Sequence, residues 1–306
     1  MRTLLIRLAM TFSLVCTLVQ PSSAHEPLWG ESPQTFGFGV WHPEIRFGFQ
    51  KEFLLLRGAT RLNNPDALRR MRFDSVLGIQ YAPKTSLNVR IEIPYSIVQS
   101  SDRIGGVPRS SRTSGLGDIM LSAKSRFAQR FGEDWKEHQA YTVGLQLPTG
   151  QHGGRDASGT LLEPSEQPGS GKWGYSLGYA YAYERLKDTL WVSAMFMGDI
   201  GGTGSKGEML TLDANYGYWF KRAHKPQDLG VILAAGTHYE WMGQDRLSMG
   251  ATPNTGYSLS ALQVSLIATK GTFQFRAGAL LPLYQHTNGT QLRPNVQMRV
   301  GIEVLL

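Results

Sequence analysis

Residues 295–306 read NVQMRVGIEVLL, and this stretch decides the fold class. Val296, Met298, Val300, Ile302, Val304 and Leu306 share one face, while Gln297, Arg299, Gly301 and Glu303 share the other. A period of two carried to the final residue describes a strand with one apolar and one polar side. A strand of a soluble sheet is usually followed by a polar tail, whereas an outer-membrane barrel ends on the strand that closes its cylinder. The pattern predicts an all-β chain: a transmembrane antiparallel up-and-down barrel with the apolar face toward lipid. Such a terminal strand, 295–306, is also the expected contact of the barrel-assembly machinery.

At the other end, Arg2 and Arg7 precede an apolar run from Leu8 to Val19, followed by Ser22, Ser23 and Ala24. This is the pattern of a secretory signal peptide cleaved after Ala24. The run is too short for a membrane-spanning helix, which needs about 20 apolar residues. Cys16, the single cysteine, lies in that leader. The exported chain is therefore expected to carry neither a disulfide nor a thiolate-bound metal. The organisation expected is a signal peptide at 1–24, a periplasmic segment at 25–43 that partly plugs the lumen, and a barrel at 44–306. Thirty-five glycines and 32 aromatic residues suit many strands joined by turns. Without the leader, 29 basic residues face 24 acidic ones. A solvated basic surface accounts for that excess, and clusters facing lipopolysaccharide phosphates are the functional alternative. Outer-membrane lipid and lipopolysaccharide are the expected partners, and nucleic acid is not expected for an exported chain.

Alternation recurs along the chain and is cleanest at 173–184 (WGYSLGYAYAYE), where Trp173, Tyr175, Leu177, Tyr179, Tyr181 and Tyr183 lie opposite small and polar residues. The pattern predicts about twelve strands, near 44–55, 70–82, 86–98, 115–128, 138–148, 173–184, 189–200, 207–220, 229–241, 255–268, 272–284 and 295–306. Short connections alternate with mostly longer ones rich in Gly, Ser and Pro, the rule for periplasmic turns and outer loops. Two places break the pattern. Lys51 falls on the apolar face of its strand, and in 255–268 the phase of Tyr257, Leu259 and Ala261 gives way to that of Leu262, Val264 and Leu266, which predicts a bulge.

On these registers Arg72, Arg90, Glu92, Asp118, Lys124, Arg126, Asp213, Glu240, Arg276 and Arg299 point inward. Two readings follow: salt-bridge networks that rigidify a narrow barrel, or the lining of a permeation path. The near balance of signs argues against strong ion selectivity. His238 and Glu240, two apart on one strand, can form a metal or acid/base pair or a hydrogen-bonded lumen pair. His25 would become the first residue after cleavage, its amine and imidazole suited to a copper-type chelate; a disordered or plugging segment is the alternative. Outer-membrane hydrolases need a Ser/His or Asp/His constellation at the rim, and the sequence offers no convincing set, so enzymatic activity is not expected. Gly169–Lys172 (GSGK) lacks the first glycine and the hydroxyl residue of a phosphate loop, and no cofactor is expected.

Gly115-Leu116-Gly117-Asp118-Ile119, followed by Lys124, Arg126 and Phe127, and then Gly144-Leu145-Gln146-Leu147-Pro148-Thr149-Gly150, resemble the family described as Putative MetA-pathway of phenol degradation. The resemblance implies an outer-membrane barrel with a role in moving small, often hydrophobic molecules. It supplies no catalytic or binding residues, and Asp118 and Pro148 are motif positions only. Glycines 115 and 117 permit a tight or bulged strand start, and Pro148 would end pairing where its strand leaves the membrane. The route expected is passive diffusion past Arg90, Asp118, Arg126 and Arg276, with a metal-linked or structural barrel and an outer-membrane enzyme as the other classes.

Overall fold

A computed structural model describes residues 26–306, apart from 105–106, 156–158, 160, 163–166, 202–203, 224, 226 and 248–249. The expected leader and His25 lie outside the described residues.

The strands are β1 (Trp41–Gly58), β2 (Thr60–Arg61), β3 (Arg69–Lys84), β4 (Leu87–Ile104), β5 (Val107–Leu116), β6 (Met120–Phe131), β7 (Trp135–Gln146), β8 (Gly174–Arg185), β9 (Asp188–Asp199), β10 (Met209–Lys221), β11 (Gly230–Met242), β12 (Arg246–Leu247), β13 (Gly250–Ala251), β14 (Tyr257–Lys270) and β15 (Phe273–Val304). Eleven of them form one closed antiparallel wall. They run β15-β14-β11-β10-β9-β8-β7-β6-β4-β3-β1, and β1 returns to β15. β5 pairs with the far end of β4, β2 with β1, and β12 with β13 in a separate ribbon. The last strand has 32 residues. At about 3.3 Å per residue it would reach about 100 Å if straight, several times a bilayer core. It doubles back instead. Phe273–Thr287 pairs with β14 and Thr287–Glu303 with β1, with Gly289 at φ 81° between the two arms. The wall is thus crossed twelve times, as the alternation predicts.

Closure reaches the last residue. Trp41 N donates to Leu306 O at 3.0 Å and Leu306 N returns a bond to Trp41 O at 2.8 Å. This pairing is obligatory in lipid, where an unpaired backbone group costs several kcal/mol. Outward positions carry the apolar residues the sequence assigns to them, among them Leu177, Leu212, Tyr216, Phe275, Leu281, Met298 and Ile302. Near the short turns the outward aromatics meet in pairs: Phe127 stacks on Tyr141 and Trp135 on Tyr183, and Trp41 lies tilted against Tyr81. That is the girdle expected at a membrane–water interface.

Three local expectations are corrected. Residues 115–128 do not form one strand: Gly115 and Leu116 end β5, Gly117–Ile119 cross over, and the wall strand starts at Met120. The stretches 99–114 and 285–294, read as loops, are mostly strand, because the hairpins extend beyond the apolar band. In β14 the phase never switches. Leu259 and Ala261 face inward and Leu262, Val264 and Leu266 outward, while the register shift opposite Ser260/Ala261 falls on β15, where Leu283 is the extra residue. Lys51 does face outward, its ammonium 5.7 Å from the centre of the Phe53 ring.

Inward glycines let neighbouring strands approach. A Cβ at Gly236 would lie 2.0 Å from the carbonyl oxygen of Ala214 and 2.8 Å from Asn215 Cα. Gly236→Ala is expected to destabilise the barrel by about 1–3 kcal/mol, since backbone must shift to admit it. Gly250→Ala, with nothing within 4 Å, should be neutral. Urea unfolding of both variants in lipid, followed by heat-modifiable gel migration, checks this.

Candidate functional site

Residues 26–40 fold back into the barrel and touch several walls. Thr35 Oγ1 donates to Thr85 O at 2.6 Å, and Phe36 N donates to Asn88 Oδ1 at 3.3 Å, both near the β3–β4 turn. Glu31 N donates to Ser193 Oγ at 3.0 Å on β9, and Asn215 Nδ2 on β10 donates to Trp29 O at 3.3 Å. Leu28 and Trp29 pack on Leu259, Ala261 and Leu280. This explains why β14 is apolar on both faces: one meets lipid, the other this segment. At Gly30 (φ 81°) a Cβ would lie 2.5 Å from Ser193 Oγ and 2.8 Å from Asp213 Cβ, so only glycine fits the bend.

An ionic layer grips the segment. Lys124 Nζ on β6 contacts Glu26 Oε1 at 2.9 Å, Ser32 O at 2.9 Å and Glu31 at 3.5 Å. Arg276 on β15 donates to Pro27 O at 3.0 Å and to Glu44 and Glu303, both at 3.1 Å. Arg90 bonds Glu44 and lies 2.8 Å from Glu92; Arg46 bonds Glu92 and lies 3.1 Å from Glu44. His42 Nε2 is 3.1 Å from Glu303. Burial works to raise the Glu26 carboxyl, but Lys124, Arg90 and Arg276 outweigh it and hold the group at about 2. Glu26, Glu44 and Glu303 bring three carboxylate oxygens within 4.8 Å of one another. Guanidinium and ammonium groups already occupy this cluster, so a metal ion would have to compete with fixed cations.

Other expected residues sit elsewhere. His238 Nδ1 lies 2.8 Å from Asp213 Oδ1, and its Nε2 lies 3.5 Å from Glu240 Oε2, ion-pair distance without hydrogen-bond alignment. Glu240 also accepts from the Tyr257 hydroxyl. Arg126, near the short-turn end, donates to Thr85 O at 3.0 Å. Asp118 does not join this ionic layer. It ties loops together at the opposite end, accepting from Gly150 N at 2.8 Å, Ser170 N at 2.6 Å and Ser170 Oγ at 3.0 Å. There the Gly117, Gly150 and Gly169 backbones touch so closely that a Cβ at Gly150 would lie 2.7 Å from Gly117 C. Both sequence motifs, and the GSGK loop, are thereby accounted for structurally.

Toward the long loops lies a cavity of about 920 Å³, bordered by Arg70, Arg72, Lys206, Glu240, Tyr257, Arg293 and Arg299 among others. Arg299 lies over the Trp29 ring at 5.5 Å, which links the cavity wall to the segment. Arg70 pairs with Glu52 at 3.2 Å and Arg72 with Asp74 at 2.9 Å. Burial and the neighbouring Arg72 push the Lys206 ammonium below its ordinary value. Sequence reading missed Glu44, although parity with Arg46 was the signal. It also missed Arg293, which fell in a stretch read as loop.

A family model described as Putative MetA-pathway of phenol degradation matches residues 67–266. The chain belongs to that family. The match takes in both motifs and leaves outside it the luminal segment 26–40 and most of the closing hairpin. A crystal structure of an outer membrane channel from Pseudomonas putida F1 has the same fold, with a TM-score of 0.66 at 14% identity, covering 94% of this chain and 100% of that one. The β domain of the Bordetella autotransporter BrkA (TM-score 0.47, 11% identity, 87% and 100% covered) and the translocator of NalP from Neisseria meningitidis (0.44, 10%, 88% and 88%) are less alike. No curated protein matches the sequence. The family member described here is an integral outer-membrane β-barrel.

Removing one partner from a buried ion pair costs about 3–5 kcal/mol, because the other charge stays buried. Lys124→Met should therefore release 26–40 to added protease while the barrel stays folded, and Glu26→Gln with Lys124→Met should restore much of the protection. The pH dependence follows from Glu26, whose docked value lies below its free one. Its contribution to docking is complete above about pH 4.5 and is lost as pH falls toward 2. Pepsin cleavage of 26–40 should stay slow at pH 4 and accelerate sharply near pH 2.

Proposed function

We propose that this chain is a passive, gated outer-membrane channel for small hydrophobic or aromatic molecules, with 26–40 as its partial plug. The observation that carries the reading is the cavity of about 920 Å³ at the long-loop end, whose wall residue Arg299 lies over Trp29 of the luminal segment. A pocket of 300–1,000 Å³ suits one small organic molecule, and barrels of this strand number leave little room for open water. The long loops would face outside and the short turns the periplasm. A molecule would enter through the loops, rest above Leu28 and Trp29, and pass when the segment shifts. Arg90, Lys124 and Arg276 then belong to the plug's clamp, and Arg72 and Arg299 to the entry side. Cationic groups near the loops would meet lipopolysaccharide, and residues 295–306 would engage the assembly machinery.

A second route is favoured by the wall itself. Above Met120, β4 pairs with β5 instead of β6, and the loop tied by Asp118 covers the interrupted ladder. On the outer face below lies an apolar groove of about 650 Å³ between Trp41, Ile79, Val89, Leu121 and Val143. A hydrophobic molecule could leave sideways into lipid there.

The test is planar-bilayer conductance of the refolded protein with and without 26–40, which leaves β1 and its closure intact, folding being verified by heat-modifiable migration. Discrete channels, larger by several-fold without the segment, are expected. Sugar flux into liposomes independent of solute size would overturn the selective channel.

A further inference from the structure

The cavity is not electrically balanced. Among the described residues five cations border it, Arg70, Arg72, Lys206, Arg293 and Arg299, against the three carboxylates Glu52, Asp74 and Glu240, with Asp199, Asp118 and Asp245 acting on Lys206 and Asp213 on Arg299 from outside the wall. Glu52 and Asp74 are spent on Arg70 and Arg72, and Glu240 on Tyr257 and His238. Among the described residues no carboxylate lies within ion-pair distance of Lys206, Arg293 or Arg299. Arg293 is only 6% exposed. Its guanidinium lies over the Tyr257 ring, 3.2 Å from the centroid, and its Nε donates to Gln285 Oε1 at 3.4 Å, while Glu240 acts on it only from beyond ion-pair distance. Arg299 is held similarly over Trp29.

Desolvated cations without a counter-charge are costly, and a carboxylate brought between them removes that cost. The rings beneath Arg293 and Arg299 restrict these side chains, so less freedom is lost on binding. The wall also carries an apolar set, Leu55, Val98, Leu161, Leu162, Met209 and Met242, beside neutral polar side chains such as Gln50, Thr255, Gln291 and Gln297. A wholly hydrophobic molecule would satisfy the apolar set and leave the cations alone. An inorganic anion would do the reverse.

We propose that this vestibule is a binding site for amphipathic organic carboxylates, the head group held by Arg293 and Arg299 with Lys206 nearby, and the apolar body against the leucine and methionine wall. The assignment rests on the channel reading only for its biological purpose, since binding can be measured without transport. An aryl or an alkyl body would serve equally, and probes can separate them.

The experiment is calorimetric titration of the full barrel in lipid nanodiscs with 4-phenylbutyrate and octanoate, against the neutral 4-phenylbutanol and octanol, corrected by protein-free discs. Each acid, or the one whose body fits, should bind at least tenfold more tightly than its alcohol. Arg293→Gln and Arg299→Gln should each weaken acid binding about tenfold and leave alcohol binding within twofold, while Arg185→Gln at the short β8–β9 turn, far from the vestibule, should change neither. Should a strand variant misfold, Lys206→Gln in its loop carries the test, with a several-fold loss expected. Equal affinity for acid and alcohol, or acid selectivity unchanged in all three luminal variants, would overturn the site. Liposome flux of the same four solutes is read separately. Acid-selective binding without any flux would sustain the site and sink the channel, whereas flux with no acid preference in binding would do the opposite.

Discussion

The structure depends on one constraint: no backbone N–H or C=O may be left unpaired in hydrocarbon. Every strand of the wall must have two neighbours, and the reciprocal bonds between Trp41 and Leu306 meet that demand at the last residue. Closure then dictates the rest. Alternate side chains must face lipid or lumen, which explains the apolar exterior, and a cylinder crossed twelve times is too narrow to leave its inward charges hydrated separately. They pair across the bore or with whatever enters it.

What enters is the chain's own segment 26–40. Its residues are matched to the walls by chemistry: Glu26 and Glu31 to Lys124, Leu28 and Trp29 to Leu259, Ala261 and Leu280, and Gly30 to the surface of Ser193 and Asp213. Opposite charges buried together offset their desolvation only when each is well paired. The layer around Glu44, Glu303, Arg90 and Arg276 meets that condition through several contacts per group. The segment divides the lumen into a clamped half near the short turns and an electropositive vestibule near the loops. Among the described residues, three of the vestibule's cations have no carboxylate within ion-pair distance. That asymmetry, rather than the total of inward charges, is the informative electrostatic feature.

The fold was largely legible because a half-buried strand writes itself into sequence as strict alternation. The stretch from Trp173 to Glu184 and the terminal stretch lie close to where the pattern puts them. Legibility failed where alternation stops being a report on lipid. Tyr257, Leu259 and Ala261 look like a change of phase because an apolar inward face is read as outward, when in fact Leu28 and Trp29 cover it. Residues 285–294 look like a loop because, beyond the apolar band, a hairpin needs no oily side. The glycines of the GLGD and LPTG motifs were readable as special backbone, but not as partners of each other.

By itself, then, the sequence determined the class of fold, the near-correct strand order and the inward set of charges, since these follow from local periodicity and from the cost of polar groups in lipid. Only the tertiary structure decided which charges meet. Glu26 and Lys124 are 98 positions apart, and Glu26 and Arg276 are 250 apart. No local signal specifies such pairings, because they are set by how a closed wall brings distant strands to one level and by where the entering segment comes to rest. The same holds for the vestibule: Arg70 and Arg72 find Glu52 and Asp74 there, whereas Glu26 and Glu31 of the entering segment pair with Lys124 instead.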